Sequence, residues 1–290
     1  MILSIKKYHC VIILLAFFIL AGIDTYAQQS NLRKYLTEKK WNELFPNRIG
    51  ISAGTDPSKK KSTGKDLYSF KAFLAAADSF PQFLVHNDTI IQKRELCAFL
   101  ANIAYENGGG WDDAPGGYYK WGLHFAEEVT CAKGCPQYSD TTKKIYPPIP
   151  GRSYHGRGPL QLSWNYNYGQ FSEAYLKDKN ILLNDPSLLT KDPVICFASA
   201  LWFWTTPQFP KPSCHDIISG AWKPSAKDLD GGRLPGFGSV VNVINGGIEC
   251  GPTGAADTRY RYGYYRFFCK YFNVDPGLNI ECTSQKPFGQ

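Results

Sequence analysis

The chain has 290 residues, a net charge of +7, and an aromatic-rich composition with 7 Trp, 18 Tyr and 18 Phe. The charge excess is dispersed apart from Lys59-Lys60-Lys61 in a polar stretch. With neither a basic stripe nor a recognition module, the chain is not read as a nucleic-acid-binding protein. Stacking on flat apolar faces, sugar rings included, would use many exposed aromatics, but composition alone does not separate that from an aromatic core.

The chain opens with a basic segment holding Lys6 and Lys7, an apolar run from Val11 to Ile23, and Thr25-Tyr26-Ala27. That pattern predicts a cleaved export signal over 1–27 with Gln28 as the new N-terminus. The apolar run is too short for a span of roughly 20 residues, and Cys10 precedes it, which disfavours both a membrane anchor and a lipid attachment. The expectation is a secreted, extracellular protein with no stable membrane association after cleavage. About 260 residues remain, enough for one large core or two close lobes.

Residues 32–45 place Leu32, Tyr35, Leu36, Trp41, Leu44 and Phe45 on one helical face, and Pro46 stops the run. Residues 47–65 read as a polar loop, so the expected organisation is a signal at 1–27, a helix and polar stretch at 28–65, and a main domain at 66–290. Helical patterns follow over 66–80 and 91–106, the second closed by Asn107-Gly108-Gly109-Gly110, where glycine admits left-handed backbone. Glu106 then sits at the negative end of a helix dipole, which predicts a raised pKa suited to a general acid. The stretch 111–165 is dominated by Gly, Pro and aromatics, with short strands expected near Arg157 to Ser163. Asp192-Pro193 reads as cap and first residue of a buried helix, 207–238 as loop, and 240–248 and 255–272 as helices.

Eight cysteines survive signal removal: Cys97, Cys131, Cys135, Cys196, Cys214, Cys250, Cys269 and Cys282. An even number in an exported chain favours disulfides, with 105 possible pairings. Cys131 and Cys135 are close enough to clip a loop. Zinc is the competing reading, but His124 and His155 do not supply ligand spacing, so no metal and no cofactor are expected. Asn87-Asp88-Thr89 is a glycosylation acceptor pattern.

The carboxylates outside ordinary surface helices are Glu106, Asp112, Asp113, Glu127, Glu128 and Glu249. The segment KRELCAFLANIAYENGGGWDDAPGGYYKWGLHFAEE at 93–128 resembles the active-site region of the glycoside hydrolase family 19 chitinases. YHGRGPLQLSWNYNYG at 154–169, WFWTTPQFPKPSCHDII at 202–218 and GRLPGFGSVVNVINGGIEC at 232–250 agree in order and spacing. The resemblance runs from about Phe70 to Pro287.

It implies a mainly α, bilobal lysozyme-like fold, with a small β-sheet or β-hairpin and long loops around a central cleft. It implies an inverting endochitinase with Glu106 as general acid, Glu128 as general base and Ser163 helping to hold the water. Such a pair stands roughly 6.5–9.5 Å apart. Gln161, Asn167 and Asn245 match substrate-binding amides; Lys211, Glu249 and Arg261 match a charged network behind the base. Tyr146 stands where relatives use tryptophan, and Tyr118 and Tyr119 fall in the same cleft region. Cys250 and Cys282 match a C-terminal bridge, while His124 replaces a disulfide cysteine. Where the family carries His-Glu-Thr-Thr-Gly-Gly, this chain has Tyr105-Glu106-Asn107-Gly108-Gly109-Gly110, so a hydroxyl is missing at Gly108. Chitin or its oligomers are the implied partners of a monomer. Peptidoglycan as substrate, or a catalytically weakened chitin-binding protein, are the competing readings.

Overall fold

The computed structural model describes residues 31–48, 66–251 and 258–289. The expected signal at 1–27, the Lys59–Lys61 run and most of the polar stretch before residue 66 lie outside the described residues.

The helix expected over 32–45 is two pieces, residues 31–35 and α1, Glu38–Leu44. Thr37 separates them: it is extended and its hydroxyl accepts from Lys40 N at 3.3 Å, the geometry of a fresh N-cap. All six apolar residues of the expected face are nevertheless buried. α2 spans Phe70–Ala77 and α3 Thr89–Tyr105, capped by Ser69 and Asp88. Then follow α4 (Asn165–Leu176), α5 (Asn180–Asn184), α6 (Leu188–Lys191) and α7 (Pro193–Thr205). The described chain continues through α8 (Cys214–Ser219), α9 (Ala226–Asp230), α10 (Phe237–Glu249) and α11 (Arg259–Tyr271).

From Leu96 to Ala104 every residue of α3 is buried, so this helix is enclosed all round. α11 lies along it, α8 touches it, and α7 packs on α2. Trp41, Phe73, Phe99, Phe197 and Trp204 interlock at ring separations of 5.2–5.9 Å, which assigns much of the aromatic content to the core. Glu95 is also enclosed here, and three donors satisfy it: His215 Nδ1 at 2.7 Å, Trp204 Nε1 at 3.1 Å and Leu84 N at 3.1 Å. This buried acid therefore ties α8 and α7 to α3.

The expected β-sheet or hairpin is absent among the described residues. Among the described residues the only pairings are isolated bridges, Glu127 with Arg157, Arg157 with Leu162, and Gln208 with Lys211. A ladder cannot grow around Arg157, because Gly158 (φ 78°) and Gln161 (φ 48°) turn out of the β region and Pro159 lacks a donor. Two disulfides form, Cys131–Cys135 and Cys250–Cys282. These are the loop clip and the C-terminal bridge expected above; the other four described cysteines, Cys97, Cys196, Cys214 and Cys269, are buried free thiols, so the general preference for disulfides does not extend to them. Three of them sit inside helices that already pack closely on their neighbours.

Candidate active site

α3 delivers Glu106 one residue past its last turn, where the Glu106 N–H still donates to Asn102 O at 3.0 Å. The glycines that follow are needed for close approach and not for left-handed backbone. A Cβ on Gly109 would stand 2.5 Å from the His124 ring, one on Gly110 2.7 Å from Tyr118 O, and one on Gly108 2.9 Å from Ala104 O. A threonine at Gly108 would therefore need the backbone to move.

Glu106 accepts from Arg261 Nη2 at the start of α11. Arg261 is fully buried and forks onto Glu249, with Nε to Oε2 at 2.8 Å and Nη2 to Oε1 at 2.6 Å, while its Nη1 donates to Asn102 at 2.7 Å. Asn102 and Glu106 are one turn apart, so one face of α3 meets this guanidinium twice. Beneath it lies the Tyr105 ring, 4.2 Å from its centroid. The family resemblance put this network behind Glu128; the structure joins it to Glu106. Burial raises the Glu106 pKa, Arg261 opposes that rise, and Glu249 adds to it. Two carboxylates around one guanidinium leave a single excess negative charge, which a proton on Glu106 removes.

Glu128 lies across the chain at the head of a single 3-10 turn, Val129–Cys131, which Cys131–Cys135 closes. Its Oε1 accepts from Thr130 Oγ1 at 3.1 Å. Burial, together with the hydrogen bond and charge of Glu128, pushes the Tyr138 phenol up to about 12, so this phenol stays a donor to Glu128. Two cysteine sulfurs also stand within 4.8 Å of the Glu128 carboxylate. Both are spent in the disulfide, and no thiolate remains to hold a metal.

Glu106 and Glu128 line one cleft of about 530 Å³, and Gln161, Ser163, Asn167, Lys211 and Asn245 line it with them. Ser163 Oγ donates to Gln161 O at 2.9 Å, and Asn167 Nδ2 to Ser163 O at 2.9 Å. Gln161 Nε2 donates to Gly158 O at 2.9 Å. Lys211 Nζ donates to Val243 O at 2.8 Å, and burial lowers its pKa. Asn245 leaves helical geometry inside α10 (φ −144°, ψ 32°) and donates to Glu249 Oε1 at 2.8 Å, which joins the cleft wall to the Arg261 network.

Tyr118 and Tyr146 are outside this lining. Tyr118 stacks on Tyr260 at 3.9 Å, and Tyr146 covers Gly169 while donating to Glu173 at 2.6 Å. Sequence reasoning missed Tyr138, Trp164, Tyr166, Phe203 and Ile248, all in the cleft wall. Trp164 and Tyr166 stand inside the 154–169 block, which was their one available signal; nothing marked Tyr138. Trp111, half-exposed and 5.0 Å from Trp121, lies in the loop that follows Glu106.

The family model for chitinase class I, glycoside hydrolase family 19, matches residues 55–282. Endochitinase A2 of Pisum sativum is 49% identical over 226 residues, covering 78% of this chain and 67% of that protein. The inactive chitinase-like protein 1 of Hevea brasiliensis is 47% identical over 225 residues, covering 78% and 69%. Among solved structures, chitinase C from Streptomyces griseus HUT6037 superposes with a TM-score of 0.64 at 28% identity, covering 86% of this chain and 97% of that one. A cleft lined by an arginine-bridged acid together with a second glutamate thus sits within a match over most of the chain, which belongs to the chitinase class I family, glycoside hydrolase family 19.

Proposed function

We propose that the chain is a secreted endochitinase that cleaves β-1,4 bonds between N-acetylglucosamine units with inversion. The observation that carries this reading is the unlike setting of two carboxyls in one cleft. Glu106 is mostly enclosed and paired with Arg261 beside a second acid, and burial raises its pKa, whereas Glu128 sits at a disulfide-closed turn and is hydrogen-bonded by Thr130. Glu106 protonates the glycosidic oxygen as the C1–O bond breaks. Glu128 takes a proton from the water that attacks C1 from the opposite face. Ser163 spends its own proton on Gln161 O, so its lone pairs accept from that water. The amides of Gln161, Asn167 and Asn245 are each held by one hydrogen bond and suit the donor and acceptor of an acetamido group. The half-exposed Trp111 offers a ring face for a sugar beyond the reacting pair, and Trp164 and Tyr166 line the cleft itself.

Chitohexaose cleavage followed by product anomer analysis tests the scheme. The α-anomer should appear first, and Glu106→Gln or Glu128→Gln should each lower kcat by about 10²–10⁴-fold. First release of the β-anomer would mean retention and a different role for Glu128. Because one relative is named inactive, wild-type turnover is itself a result: chitin binding without cleavage would favour the weakened reading. Release from bacterial walls, run in parallel, would admit peptidoglycan.

Export rests on the signal pattern at 1–27 and on two disulfides, which persist in oxidising compartments. Among the described residues no helix is long and apolar enough to cross a membrane. Protein recovered from the medium should begin near Gln28 and sediment as a monomer.

A further inference from the structure

The segment that carries Glu128 is held to the cleft wall by little backbone pairing. Glu128 N donates to Gly156 O at 2.8 Å and Gly158 N to Ala126 O at 2.9 Å. Arg157, between those two, pairs on its other side with Leu162, through bonds of 2.9 and 3.2 Å. Leu162 separates Gln161 from Ser163. Arg157 is thus the middle ply between the base and the residues that hold substrate and water. Each pairing is a single bridge with no ladder beyond it, so backbone alone fixes the register weakly.

Side chains supply what the ladder lacks. Successive residues of an extended segment face opposite ways, and Glu127 points to the rear while Glu128 faces the cleft. Glu127 Oε2 accepts from Arg157 Nε at 3.0 Å and from His155 Nε2 at 3.0 Å. Arg157 Nη1 donates to Ser153 O at 2.8 Å and to the Tyr168 hydroxyl at 3.1 Å, which in turn donates to His155 O at 2.7 Å. His155 Nδ1 lies 2.8 Å from Ser153 Oγ and 3.4 Å from Arg157 Nη2. With donors facing Nδ1, the ring proton belongs on Nε2, toward Glu127. Ser153 Oγ also accepts from Cys135 N at 2.8 Å, which brings the disulfide-closed turn after Glu128 into the same assembly. A cavity of about 360 Å³, separate from the cleft, is lined by Glu127, Ser153, His155 and Arg157.

We infer that Glu127, with Arg157 and His155, is a positioning unit that sets the Glu128 carboxylate against Gln161 and Ser163. None of the three lines the cleft, so they act through Glu128 and touch no substrate. The inference rests on Glu128 being the base, and the test separates the two.

Chitohexaose turnover is measured for Glu127→Gln, Arg157→Lys, Glu128→Gln and the double variant Glu127→Gln/Glu128→Gln, each with its melting temperature. Glu127→Gln keeps the size and one acceptor but loses the charge; Arg157→Lys keeps the charge but loses the fork. Both should lower kcat about tenfold with KM within about twofold, the signature of a misplaced reacting group. The residual rate of Glu128→Gln should not fall further when Glu127→Gln is added, because the two changes remove one function. An unchanged kcat in both positioning variants beside an inactive Glu128→Gln overturns the positioning role and leaves the base assignment standing. Equal loss from Glu127→Gln in both backgrounds, tracking melting temperature, reduces the cluster to a stability element. Full activity in Glu128→Gln removes the base, and the inference with it.

Discussion

Glu106 takes its proton affinity from neighbours that pull in opposite directions, and each can be removed separately. Glu249 raises its pKa and Arg261 lowers it, on top of the dominant effect of burial. Glu249→Gln leaves Arg261 facing Glu106 alone, so the acid gives up its proton at lower pH. The basic limb of the kcat profile should move down, and kcat at pH 7 should fall while KM holds. An unmoved limb would detach Glu249 from the acid. The sequence predicted the raised pKa from the helix end; the structure adds enclosure and a second carboxylate, neither of which has a local signature. Tyr105 was legible only as a departure from the family's histidine. Its ring under Arg261 gives that departure a place in the site. At Gly108 the absent hydroxyl has a steric reason, since the Ala104 carbonyl occupies the space.

Among the elements, those with a strong cap or a long apolar stripe could be read directly. Asp192 accepts from Val194 N and Ile195 N at 2.8 and 3.0 Å, and Pro193 occupies the first position of α7. Asp192→Ala should cost about 0.5–2 kcal/mol, read as a lower denaturant midpoint at unchanged slope. α4 was unreadable because Asn165-Tyr166-Asn167-Tyr168-Gly169 has turn composition, and its helicity comes from packing on α5 and α7. The strands expected at 157–163 failed for the opposite reason: glycine, proline and positive φ interrupt an otherwise apolar alternation.

The Glu95–His215 contact between α3 and α8 adds a pH dependence. Burial lowers the His215 pKa, but the hydrogen bond and charge of Glu95 outweigh it and the net shift is upward. A histidine with a raised folded pKa contributes stability in full below its unfolded value of about 6.5, and loses it as pH rises through the folded value. Wild-type stability should therefore decline over that interval, and the decline should vanish in His215→Gln.

For the whole molecule, four family blocks in fixed order made the architecture and most of the cleft legible, whereas the cysteines were legible only in part. Parity and export favour disulfides, and the two expected bridges form, yet four cysteines stay buried free thiols, Cys97 and Cys269 within hydrogen-bond reach of each other. Thiol titration of the secreted chain should find four groups, reactive only after unfolding; two would mean a third bridge. The Cys250–Cys282 bridge closes 32 residues that include α11, so Cys282→Ser should cost about 3–4 kcal/mol, measured as a drop in unfolding free energy.

Arg261 and Glu106 are 155 positions apart, and the arginine arrives on the last helix of the described chain. During synthesis and export the cleft lining, which ends at Ile248, emerges before the residue that conditions the acid. Glu106 therefore reaches its conditioned state only once α11 has docked along α3, so the tuning of the acid and a principal helix–helix contact of the core form together.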